Sequence, residues 1–98
     1  ESFLDYLRFE KRFSDHTVKA YQIDLSEFVI FSEAKSINDF SAFTSSFIRS
    51  WIVELIEKGL KSKSVNRKLA ALRSFYKWLR KEGLVDSNPM SKVKGPKK

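Results

Sequence analysis

Ninety-eight residues with 42% hydrophobic side chains and nine Phe provide one small domain with a single core, leave no room for a second, and argue against wholesale disorder. The chain has no cysteine, which excludes a disulfide framework and a thiolate metal site, and no apolar run reaches the ~18 residues of a membrane span. The net charge of +7 is lopsided: residues 1–49 carry six basic and eight acidic side chains, residues 50–98 thirteen and four. Charge concentrated in one half favours a polyanionic partner, because evenly spread charge would serve solubility equally well.

In chain order, four helices are predicted. The first covers Glu1 to Arg12 and sets Phe3, Tyr6 and Leu7 on one side. Ser14 then reads as an N-cap, with Asp15 favourable in the first turn of a second helix. That helix runs to about Ser32 with Val18, Tyr21, Leu25 and Phe28 at helical spacing, and is expected to be the central, most buried element. Ala34 to Phe43 reads as a connection pinned to the core by Ile37, Phe40 and Phe43. Thr44 or Ser45 caps a third helix to Lys58, which carries Phe47, Ile48, Trp51, Ile52, Leu55 and Ile56; Gly59 ends it. Ser62 or Ser64 caps the fourth, Gly83 closes it, and Asn88-Pro89 blocks continuation. The fold class is thus all-α, a four-helix orthogonal bundle of two antiparallel pairs. Residues 1–88 form the domain and 89–98 a basic linker with no core-forming residue beyond Val93.

The fourth helix is the most informative segment. From Lys61 to Lys81 there are eight Lys or Arg residues and no acid. Val65, Leu69, Leu72, Tyr76 and Leu79 step by four and three, as a stripe packed on a core does. At ~100° per residue, Lys63, Asn66, Arg67, Arg73, Lys77, Arg80 and Lys81 lie on an arc roughly opposite. A run of charge is often only a solvated face, but a merely soluble helix alternates Glu and Lys, and this one has no counter-charge of its own.

Catalytic chemistry is missing. His16 is the sole histidine, so nothing completes a metal site with it. There is no glycine-rich phosphate loop, no Ser-His-Asp set and no acid/base pair; Asp5, Glu10, Asp24 and Glu27 are spaced as solvated helix residues. Tyr6, Tyr21 and Tyr76 all sit in apolar patterns. The chain alone is expected not to be an enzyme, and no cofactor is expected.

Two helix starts share one chemistry: Ser14-Asp15-His16-Thr17-Val18-Lys19 and Ser62-Lys63-Ser64-Val65-Asn66-Arg67-Lys68. Each offers hydroxyls and a cation at the positive end of a helix, where Thr17, Lys19, Lys63 and Ser64 can add donors for phosphate. One turn further in, Arg67 can fork onto guanine and Asn66 onto adenine in a major groove. Ordinary capping explains the hydroxyls, but not Lys63, Arg67, Arg73 and Lys77 together.

At these residues the sequence resembles the N-terminal, core-binding domain of tyrosine recombinases, the phage-integrase group that includes the Xer and Cre recombinases. The resemblance covers nearly the whole chain. It rests on Ser14-x-x-Thr17-x-x-x-Tyr21-x-x-Asp24-Leu25-x-x-Phe28, then Ser64-Val65-Asn66-Arg67-Lys68-Leu69-x-x-Leu72-Arg73-x-Phe75-Tyr76, and last Asn88-Pro89 leading to Val93-x-x-Pro96-Lys97. It implies a SAM-like fold in which helices two and four cross duplex DNA. His16, Thr17 and Lys19 would lie at one entry, Lys63, Ser64, Asn66 and Arg67 at the other, and Arg73 and Lys77 on phosphates. It also implies a clamp whose other half is a C-terminal catalytic domain cleaving through a 3′-phosphotyrosine, with other recombinase protomers on the same DNA. Exposed members of Phe3, Tyr6 and Phe9 would touch a neighbouring protomer; the apolar pattern alone favours core for all three. The expected partner is double-stranded DNA and not a membrane, and the isolated domain is expected to be monomeric and cytoplasmic. The competing reading is a helical protein–protein interaction domain without DNA specificity.

Overall fold

The structure, a computed structural model, describes residues 2–35 and 42–96. They are all-α, with no strand among them. A short α-helical turn, α1 (Phe3–Asp5), continues as a π-helical turn over Tyr6–Glu10; three longer helices follow, α2 (Asp15–Ala34), α3 (Ser45–Glu57) and α4 (Ser62–Lys81), and a 3-10 turn spans Pro89–Lys92.

The first helix differs from the uniform one expected to Arg12. Lys11 N donates to Tyr6 O at 3.1 Å and Phe13 N to Leu7 O at 3.0 Å, so the turn widens. It stops at Arg12, which takes the left-handed conformation at φ 55°. Phe3, Tyr6 and Leu7 are buried, whereas Phe9 is 71% exposed and is not core. Lys81 of α4 fastens this segment: its ammonium bonds both Glu10 oxygens at 2.7 Å and lies 5.2 Å from the centre of the Tyr6 ring.

Ser14 caps α2, its Oγ accepting from Thr17 N at 3.2 Å. Val18, Phe28 and Phe31 face inward. Thr44 caps α3 by accepting from Phe47 N at 3.1 Å; Ile48, Trp51, Ile52 and Leu55 are buried, while Ile56 is half exposed. Phe43 anchors the connection before α3, edge-on to Phe28 at 5.1 Å, whereas Ile37 and Phe40 lie outside the described residues. Gly59 (φ 91°) and Gly83 (φ 74°) end α3 and α4 in the left-handed region.

The central helix is α4, not α2. All five members of its predicted stripe are buried, Lys68 and Ala71 are buried with them, and α4 packs against both α2 and α3. Residues Ile23 and Ile30 of α2 remain half or more exposed, because α2 is covered along one side only. Lys61, rather than Ser62 or Ser64, is the N-cap of α4, and no side chain caps it.

In the segment read as a basic linker, Met90 packs as well as Val93. Asn88 Oδ1 accepts from Met90 N at 2.9 Å, and Met90 and Val93 join the main core. Four side chains then hold its main-chain carbonyls: Ser45 on Pro89 (2.8 Å), Arg49 on Lys92 (3.0 Å), Arg73 on Val93 (3.2 Å) and Asn66 on Pro96 (3.0 Å). A Cβ on Gly95 would stand 1.8 Å from Asn66 Oδ1. Gly95→Ala is therefore expected to rotate Asn66 off Pro96 and cost about 1 kcal/mol, read as a lower urea midpoint, with the Asn66 side-chain amide resonances shifted while Met90 and Val93 stay docked.

Candidate nucleic-acid interface

The predicted residues separate into two groups around α4. On one side, the first turns of α2 meet the start of α4 across a shallow cleft of about 240 Å³ lined by His16, Lys19, Ala20, Ile23 and Arg67. Two helix starts that looked alike in sequence are thus neighbours in space. His16 and Lys19 are exposed and Thr17 is half-buried. The Thr17 hydroxyl already accepts from Ser14 Oγ at 3.0 Å.

Beneath the cleft lies an ion cluster. The Arg67 guanidinium forks onto Asp24, Nε to Oδ2 at 3.0 Å and Nη2 to Oδ1 at 2.8 Å. Lys68 Nζ bonds Asp24 Oδ1 at 2.9 Å and also Glu27 Oε1. Asp24 is wholly buried at its side chain and Lys68 almost so, whereas Arg67 is half exposed. Asp24 is thus not the solvated acid that its spacing predicts. A buried carboxylate is tolerated here because three donors and two cations compensate it.

The proton affinities follow from these contacts. The hydrogen bond that Arg67 donates to Asp24 leads in raising Arg67 above its ordinary value, against the cost of burial. Burial is the largest influence on Lys68 and lowers it, but the bonds to Glu27 and Asp24 and the negative charges of both together outweigh it and leave Lys68 raised. Tyr21 is raised by burial first and then by the Asp24 charge.

On the other side of α4, Asn66 and Arg73 turn toward the C-terminal segment and hold the carbonyls of Pro96 and Val93. The carboxamide of Asn66 is thereby already engaged. Arg73 commits one nitrogen to Val93 and keeps other donors. Lys63 and Lys77 are exposed and Ser64 half-buried; among the described residues none of the three has a side-chain hydrogen bond or ion pair. The continuous cationic face read from the helix wheel is therefore divided. Its counter-charge comes from α2 and from Glu10, elements distant in sequence.

Sequence reasoning missed the cluster under Arg67, although a signal existed. Asp24 sits three residues after Tyr21 and four before Phe28, and Lys68 three after Val65 and four before Leu72. An acid on one apolar stripe and a base on another predict each other.

Among the described residues no group of His, Asp or Glu is arranged to hold a metal ion, and no helix is long and apolar enough to cross a membrane. Residues 1–83 match the family described as phage integrase, N-terminal SAM-like domain. Relatives named tyrosine recombinase XerC are similar over nearly the whole chain. That of Halalkalibacterium halodurans is 41% identical over 98% of this chain and 32% of its own length. That of Anoxybacillus flavithermus is 38% identical over 98% and 32%, and that of Xanthomonas campestris pv. campestris 34% identical over 99% and 30%. The chain thus spans about a third of these relatives. No solved structure matches it. With the expected all-α architecture and a sequence match running through α4, the chain belongs to the phage integrase N-terminal SAM-like domain family.

Proposed function

We propose that this chain is the DNA-gripping, core-binding domain of a site-specific tyrosine recombinase, forming half of a clamp on duplex DNA. The observation that supports this most is the cleft where His16 and Lys19 of α2 meet Arg67 of α4, in a chain of the integrase family. Two helix starts converge there with the basic side chains of His16, Lys19 and Arg67, a donor set suited to a phosphate backbone beside a groove. Lys19, Lys63, Arg73 and Lys77 hold phosphates, assisted by His16, Thr17 and Ser64; Arg67 and Asn66 face base edges, Asn66 on release from Pro96. Strand cleavage and rejoining through a 3′-phosphotyrosine belong to the catalytic domain of the same recombinase, toward which residues 89–98 lead. The domain alone is monomeric and acts in the cytoplasm, meeting other protomers only on DNA.

The test is a salt titration of binding to duplex DNA, with a steep negative dependence expected and a flat one overturning the reading. Within it, Arg73→Ala is expected to weaken selected and random duplexes alike and to reduce the salt slope by about 1. A sequence-dependent loss would show that Arg73 reads bases.

A further inference from the structure

Asp24 engages only one edge of the Arg67 guanidinium. It takes Arg67 through Nε and Nη2, the side edge of the guanidinium. A guanidinium has five N–H donors; two are used here, and the end edge formed by Nη1 and Nη2 remains. That end edge belongs to a side chain that is half exposed and lines the cleft with His16 and Lys19. It is also the edge that forks onto the O6 and N7 acceptors of guanine. Arg67 therefore keeps a complete recognition fork while its stem is immobilised.

The second cation makes this arrangement durable. Lys68, itself buried, bonds Asp24 and Glu27, so the cluster of Asp24, Glu27, Arg67 and Lys68 has no net charge. Asp24 would remain compensated if Arg67 shared its charge with a nucleic acid. Asp24 is itself inaccessible to solvent, so dissolved cations do not compete with Arg67 for it.

We infer that Asp24 is a positioning residue for DNA sequence readout, holding Arg67 side-on so that its free end edge meets a base in the groove. This rests on the reading of the cleft as the DNA interface. It makes a prediction opposite to that of simple electrostatics. Asp24→Asn raises the net charge by one, so charge alone would tighten binding to every duplex equally. Positioning instead requires preference to fall while general affinity is kept or raised.

The probes are a duplex selected by this chain from a randomised pool and a scrambled duplex of equal length. Arg67→Ala and Arg67→Lys are each expected to cut the preference for the selected duplex about tenfold or more, the discrimination carried by one forked contact. Lysine keeps the charge but has no fork, so Arg67→Lys should leave binding to the scrambled duplex nearly unchanged. Asp24→Asn should cut the preference as far as Arg67→Ala does, and the double variant no further. Should Asp24→Asn fail to fold, the Arg67 Nε–H resonance of the unaltered chain gives a separate readout. It should exchange slowly with solvent in the free chain and stay protected on the selected duplex. Undiminished preference in folded Asp24→Asn, or loss of that protection on DNA, overturns the role of Asp24 while leaving DNA binding intact. If Arg67→Ala keeps full preference, base readout fails with it, and if neither duplex binds, the DNA reading itself has failed.

Discussion

Raising the salt concentration from about 50 to 200 mM is expected to weaken duplex binding by roughly 250- to 1,000-fold. The estimate counts about five phosphate contacts, each releasing condensed counterions, for a slope of about −4 to −5 in log K against log salt. On the proposed reading, Lys19, Lys63, Arg73 and Lys77 would be the main contributors. Arg67 adds less, because Asp24 already balances its charge at 2.8 Å. Fluorescence anisotropy of a labelled duplex across that range measures the slope directly. The competing protein–protein reading predicts little change, since apolar burial does not release counterions. Ile23 and Ile30, exposed on one face of α2, and Phe9 are the apolar surface which that reading would use.

Lys68→Met is the second large effect, and it acts on stability. Methionine nearly matches the lysine stem but leaves Asp24 with one cation where it had two, and Glu27 with none of its cluster. Removing one partner of a buried ion pair costs about 3–5 kcal/mol. Arg67 continues to hold Asp24, so the lower end, about 3 kcal/mol, is expected. For a domain of this size that lowers Tm by roughly 12–24 °C, readable by calorimetry. Combining Lys68→Met with Asp24→Asn should recover much of the loss, because the buried charge disappears with its partner.

The same cluster predicts how stability depends on pH. The pKa of Lys68 is raised in the folded chain above 10.5, so the folded state holds its proton more tightly than the unfolded state does. That contribution is complete below the unfolded value and is lost as pH rises through the folded one. Tyr21, raised from 10.0, behaves in the same direction, since burial favours its neutral form. Urea midpoints should therefore fall from about pH 10 upward, and less steeply in Lys68→Met. An identical alkaline decline in both proteins would remove Lys68 as its source.

Much of this protein follows from local rules. The stripe Val65, Leu69, Leu72, Tyr76 and Leu79 is buried as its spacing requires. The caps at Ser14 and Thr44 form as their side-chain chemistry dictates, and Gly59 and Gly83 stop their helices. These features depend on residues a few positions apart, where period and capping chemistry are written directly in the sequence. The first helix was less legible. Its widened turn depends on Tyr6 and Leu7 fitting against α4 and α2, which no helical period encodes.

The interface divides in the same way. Its cationic character and its two donor-rich helix starts were determined by the sequence alone. Which cations face outward was decided only by tertiary packing. Arg67 and Lys68 are adjacent in sequence, yet one is half exposed and the other almost buried, because Asp24 approaches from a helix more than 40 residues earlier. Asn66 and Arg73 turn toward a C-terminal segment whose Met90 and Val93 insert into the core. A counter-charge or a carbonyl brought from afar changes what a side chain can reach, and helical periodicity carries no information about long-range partners. The sequence determined that a basic helix would be presented, and the fold determined which of its charges remain for a partner.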